Sequence, residues 1–175
     1  MQWQALLTNV LPHNTFCTST TLQKITDLKR SREIDSQLIK AGRKVFFLDL
    51  KSEEDGQLWL KVKEKSNDRT SLVLIELNKL PFIIKALEMA FTPDPFSQTP
   101  NEYATIQSKM FEHKTISFFA RENAGGQYIC IKEDYTEGIR KGMKSQILIP
   151  VEYLRIFIEG LQKFAVYIKD DRQLD

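Results

Sequence analysis

The order strand, glycine turn, strand, third strand, helix is written twice along this chain, and a tandem copy of one small unit restricts the fold more than any other feature. In the first copy Val45 to Lys51 alternates apolar and polar residues, Ser52 to Gly56 turns, and Gln57 to Glu64 alternates again. In the second, Thr115 to Arg121 leads to a turn at Glu122 to Gly126, and Gln127 to Glu133 follows. Each copy then has a polar loop (Ser66 to Asp68; Thr136 to Gly142), a β-rich run (Thr70 to Ile75; Ser145 to Ile149) and a helical stripe. The stripes are Leu80, Ile83, Ile84, Leu87 and Phe91 in one, and Leu154, Phe157, Ile158, Leu161 and Phe164 in the other, with Pro150 in the first helical turn. A short strand precedes each hairpin, Ser36 to Lys40 and Ala104 to Met110.

The fold class is therefore α+β, two tandem ββββα repeats, each antiparallel sheet packed on its own C-terminal helix. The repeats pair as an intramolecular pseudo-dimer, because a small sheet leaves edges and an apolar face that a second copy covers. Residues 31–91 form the first repeat and 102–169 the second. Pro93, Pro95 and Pro100 mark 92–101 as a linker, 1–30 is an N-terminal extension and 170–175 a C-terminal tail.

With 175 residues, 42% of them hydrophobic, the chain buries a core without staples. Cys17 and Cys130 have no partner spacing, and His13 and His113 no ligand rhythm, so the reading is a reduced intracellular compartment, cytoplasmic or nuclear/nucleoid, with no metal and no cofactor. No apolar run is long enough for a membrane span, and the start lacks the pattern of a secretory signal. The first 26 residues are Thr-rich and free of acids, as transit peptides are, but they also lack Arg; an ordered extension is expected, either a helix from Trp3 to Val10 or a partner arm. No nucleophile–base set, paired carboxylates or phosphate cradle is present, so no catalytic residue is assigned; Glu53-Glu54-Asp55 reads as a solvated turn and Gly138 to Lys144 as a flexible basic loop.

A net charge of +2 is too small to argue for any partner, so the case rests on where charges sit. If Phe46, Leu48, Leu50, Leu58, Leu60 and Val62 face inward, Phe47, Asp49, Lys51, Trp59, Lys61 and Lys63 face outward. The second copy puts Ile129 and Ile131 inward and Phe119, Arg121, Tyr128, Cys130 and Lys132 outward, with Asn123 in the turn. Rings interleaved with cations on an open sheet suit single-stranded nucleic acid, where bases stack on rings and cations meet phosphates. Alternating charge also occurs simply to solvate a strand, and Trp59 or Tyr128 could instead be buried between the repeats.

Arg32 to Ser36, Arg43 to Lys51, Gly56, Leu60-Lys61-Val62 and Arg69 resemble the first repeat of the Pur-alpha (purine-rich element binding) family. Arg121-Glu122-Asn123, Gly126 to Ile129 and Gln146 to Pro150 are similar to its later repeat, so the resemblance covers about residues 32 to 168. It implies ββββα repeats intertwined as an intramolecular dimer, related in plan to Whirly-type proteins, that bind single-stranded DNA or RNA with a purine preference in transcription or RNA regulation. The family's Lys-x-Asn-x-Arg motif falls on Arg121, Asn123 and Gly125, and its stacking aromatic on Tyr128, with Trp59 as the counterpart. In the first repeat Lys51 keeps the cation, but Glu53 and Asp55 stand at the other two motif positions, where acids repel phosphate. Gln57 and Gln127 stand where the family tends to have Arg. The resulting contact set is Lys51, Trp59, Lys61, Lys63, Arg69, Arg121, Asn123, Tyr128 and Lys132, with the second repeat as the better surface. The alternative is a protein-interaction or dimerisation module that keeps the architecture without the ligand; homodimerisation beyond the internal pairing is left open.

Overall fold

Alternation of apolar and polar residues becomes two antiparallel sheets in the computed structural model, which describes residues 31–67, 69–91 and 104–168. The first sheet has the order β1 (Arg32–Ala41), β2 (Lys44–Ser52), β3 (Leu58–Ser66), β4 (Arg69–Glu76), and helix α1 (Leu80–Glu88) follows it. The second has the order β5 (Ala104–Met110), β6 (Lys114–Asn123), β7 (Gly126–Tyr135), β8 (Lys144–Pro150), followed by helix α2 (Leu154–Phe164). Two ββββα units are therefore present. The extension, residues 92–103 and the tail lie outside the described residues, as do Cys17 and Asp68.

Register explains why the inner faces are apolar. Leu48 lies opposite Val62 and Leu50 opposite Leu60; Phe118 lies opposite Ile131 and Ala120 opposite Ile129. All eight are buried in one core cluster that runs through both repeats. Ala41 pairs with Lys44, so Gly42 and Arg43 alone make the β1–β2 reversal, and Gly42 takes a φ of 60° that a side chain would resist. β1 starts earlier than the alternation indicates, because a bulge between Glu33 and Asp35 shifts its phase; β5 carries one between Thr105 and Gln107.

Two expectations are corrected. Pro150 ends β8 in an extended conformation, and a 3-10 turn at Val151–Tyr153 intervenes before α2; the proline at a helix start is Pro81, in the first turn of α1. More consequentially, the helices are not confined to their own sheets. Phe157 of α2 packs edge-on against Phe46 of β2 with ring centroids 5.1 Å apart, Gly160 comes against Ile39 of β1, and the Tyr167 hydroxyl donates to Asp35 at 3.1 Å. Conversely, Phe82 of α1 packs edge-on against Phe118 of β6 at 5.9 Å. An oily helix stripe is satisfied by any apolar sheet face within reach, and here the nearest one belongs to the other repeat.

The exchange brings the outer edges of β4 and β8 against the opposite repeat, where each is closed by a buried ion pair. Glu133 Oε1 and Lys114 Nζ lie 2.6 Å apart; the ammonium donates to the carbonyl of Leu74, and the Leu74 N–H donates to Glu133 Oε2 at 3.0 Å. In the mirror arrangement Lys44 and Glu64 are 2.6 Å apart, Lys44 donates to the Leu148 carbonyl at 2.8 Å, and the Leu148 N–H donates to Glu64 Oε2 at 2.7 Å. Leu74 lies opposite Lys61 and Leu148 opposite Cys130 in their own sheets, so the two grips occupy equivalent places. A carboxylate and an ammonium together do what a neighbouring strand residue would do, accepting from one backbone N–H and donating to one C=O. Edge strands that would otherwise recruit another chain are thus finished from within.

Candidate nucleic-acid interface

The face of the first sheet opposite the helices is set by β2 and β3. Lys51 lies opposite Trp59, Asp49 opposite Lys61, Phe47 opposite Lys63 and Val45 opposite Lys65. On the other side of β3, Leu74 faces Lys61, Leu72 faces Lys63 and Thr70 faces Lys65. The result is a row of three lysines on β3 between largely apolar rows on β2 and β4, their backbone positions recurring every two residues, about 6.8 Å along the strand. Lys63 Nζ sits 4.5 Å over the Phe47 ring, so its stem and that ring cover each other while its charge stays at the surface. Lys65 belongs to this row, and only its position past Glu64, at the end of the alternation, obscured it in the sequence. Asp49 is the one acid on β2 within this face, directly between Ser36 and Lys61.

The other expected contact residues divide. Lys51 is half-buried beside Trp59, in continuity with the row. Arg69 pairs with Ser66, one residue out of phase with the lysines, and sits exposed at the sheet end, so the fold does not bring it into the row. Trp59 is half-buried, with the Lys114 ammonium of the other repeat 5.6 Å from its ring; its Nε1 is buried without a hydrogen-bond partner among the described residues. Tyr128 mirrors it, its ring 5.0 Å from Lys44 Nζ. Each ring therefore walls one of the two grips and presents only part of itself to the surface.

In the second sheet Arg121 lies opposite Tyr128, and Lys132 lies between Ser117 and Gln146. Lys132 Nζ is paired to Asp134 at 2.8 Å. Asn123 Oδ1 accepts from the Gly125 N–H at 2.7 Å, and the Tyr128 hydroxyl donates to the Gly125 carbonyl at 2.8 Å, so both side chains are occupied in fixing the β6–β7 turn. A Cβ at position 125, where the resembled motif has Arg, would stand 2.8 Å from the Tyr128 oxygen, so a longer side chain there would displace the hydroxyl. Of the two outer faces, the first sheet's has the denser run of cations.

Cys130, on the outer side of β7, is only 2% exposed, and burial pushes its thiol up to about 11, partly countered by Arg121. At pH 8 roughly one thiol in a thousand is ionised, so in a Cys17→Ser background native Cys130 should react with an aromatic disulfide reagent orders of magnitude more slowly than in denaturant. Because the folded thiol holds its proton longer than the unfolded one, its contribution to stability is complete below pH 9 and is lost as the pH rises towards 11. Equal labelling rates in native and denaturing buffer would contradict this placement.

Among the described residues no group of three or more His, Cys, Asp or Glu is placed to hold a metal ion, and no helix is long and apolar enough to cross a membrane. The chain matches no protein-family model and no curated protein sequence.

Proposed function

We propose that the chain is a non-catalytic, PUR-type binder of single-stranded DNA or RNA, acting in transcription or RNA regulation, and that it holds the strand on the outer face of its first sheet. The observation that carries this reading is the Lys61, Lys63 and Lys65 row between the Phe47 side of β2 and the Leu72 and Leu74 side of β4. Cations at a regular spacing meet successive phosphates of an extended strand, while flanking apolar surface and the exposed part of Trp59 receive unstacked bases. The duplicated ββββα plan supports the same reading, since tandem ββββα repeats paired within one chain are what the Pur resemblance implies. A duplex fits less well, because among the described residues no helix or ribbon projects from this face to enter a groove.

Titration of the full chain with fluorescent single-stranded oligonucleotides, purine-rich and pyrimidine-rich, across 50 to about 300 mM salt tests the proposal. The expected result is binding whose log affinity falls linearly with log salt, by about 0.7 per phosphate neutralised. Absence of salt-dependent binding at micromolar protein would reject it. That outcome would favour a protein-interaction module, for which β1 is the surface, because Ile34 and Leu38 stand 42% and 50% exposed on an edge strand.

A further inference from the structure

The two repeats differ most where β3 joins β4 and β7 joins β8. The first connection is Asn67 and Asp68 alone; the second runs from Thr136 to Met143. This longer loop is ordered by its own backbone. The Tyr135 N–H donates to Met143 O at 3.0 Å, Gly142 N–H to Tyr135 O at 2.8 Å and Met143 N–H to Arg140 O at 2.9 Å, while Thr136 N–H is anchored on His113 O at 2.9 Å. Gly138 and Gly142 supply the positive φ values, 76° and 82°, that its tight reversals need. These backbone bonds shape the basic loop into a wall.

The wall closes one side of a groove of about 610 Å³, whose other side is Leu72 and Leu74 of β4, with Lys132 and Lys144 rising from β7 and β8. That volume lies within the roughly 300–1,000 Å³ typical of small-molecule sites. Leu72 and Leu74 are the cross-strand neighbours of Lys63 and Lys61, so the groove opens one strand over from the lysine row and continues that surface. Inside it, Arg140 lies 5.7 Å over the Tyr135 ring, with Nη1 donating to the phenol oxygen at 3.5 Å. Lys132 and Lys144 share Asp134 at 2.8 and 3.8 Å, and the lining Glu133 is already engaged with Lys114. Positive charge, an aromatic ring and a short apolar wall thus converge in one space.

We infer that this groove takes one nucleotide of the bound strand, its phosphate against Arg140 and Lys144 and its base against Tyr135 and Leu72. This rests on the reading of the first sheet as a single-strand surface, and it assigns the strand a course: along the lysine row of β3, then over Leu72 of β4 and into the seam between the repeats. The eight-residue β7–β8 connection, against two residues between β3 and β4, makes the otherwise duplicated protein asymmetric towards its ligand.

The test uses the full chain and a purine-rich single-stranded oligonucleotide carrying one photoreactive 5-iodouracil near an end. Irradiation should give an adduct on Tyr135, found by mass spectrometry of the digest. Arg140→Glu combined with Lys144→Ala, both at exposed positions, should leave the thermal transition in place, weaken binding by about tenfold and abolish that adduct. Wild-type affinity in this variant, together with adducts confined to the first sheet, overturns the inference and leaves the sheet-face reading standing. Failure of the wild-type chain to bind any oligonucleotide overturns both.

Discussion

Lys114→Met is expected to lower the stability of the folded chain by about 3–5 kcal/mol, among the largest effects of any single substitution. The lysine is 4% exposed and Glu133 1%, so removing the ammonium strands a carboxylate that water cannot reach and leaves the Leu74 carbonyl without its donor. With a denaturant slope of about 2 kcal/mol per molar, the urea midpoint should fall by on the order of 2 M. Lys44→Met should cost less, because that pair is 13% and 9% exposed and admits more solvent. Lys114→Met with Glu133→Leu should recover only part of the loss, since it removes the stranded charge but leaves both Leu74 backbone groups without these partners. A loss below about 1 kcal/mol for Lys114→Met alone would show that the grip on β4 is not what holds the repeats together.

Replacing Lys61 and Lys63 together by Ala should reduce the salt dependence of oligonucleotide binding by about 1.4 in the log–log slope, 0.7 for each lost phosphate contact. At low salt the affinity should fall by one to two orders of magnitude, as these are the central cations of the row. Both side chains stand on the outer face, so the core is untouched and circular dichroism should be unchanged. Trp59→Ala is a poorer probe of the same surface, because its ring also walls the Lys114 grip and its removal disturbs fold and binding together. An unchanged slope in the double variant would mean that the strand, if bound, lies elsewhere.

Much of this architecture was legible in the chain, and the reason is local. Phe46, Leu48, Leu50, Leu60, Val62, Ile129 and Ile131 recur at a period of two within their strands, and every one of them is buried as that period requires. The row Lys61 and Lys63 followed from the same counting. What could not be read was non-local. The stripe containing Phe157 is equally compatible with either sheet, so its seat against Phe46 depended on where the chain carried it. Glu64 and Glu133 keep phase with the aliphatic residues of β3 and β7, but an acid near the end of a strand ordinarily marks the passage to solvent; its partner lay twenty residues back as Lys44, or nineteen as Lys114. The groove depended on a loop whose order comes from backbone hydrogen bonds and glycine geometry rather than side-chain pattern.

The reciprocal grips are made by one repeat upon the other and back again, so each half lacks its finished form while alone. On separate chains the same contacts would obey mass action, weakening on dilution; on one chain the partner is always present at the high effective concentration set by the intervening segment. Fusion in tandem thus converts an assembly that dilution could dissolve into one whose integrity is independent of how much protein the cell makes.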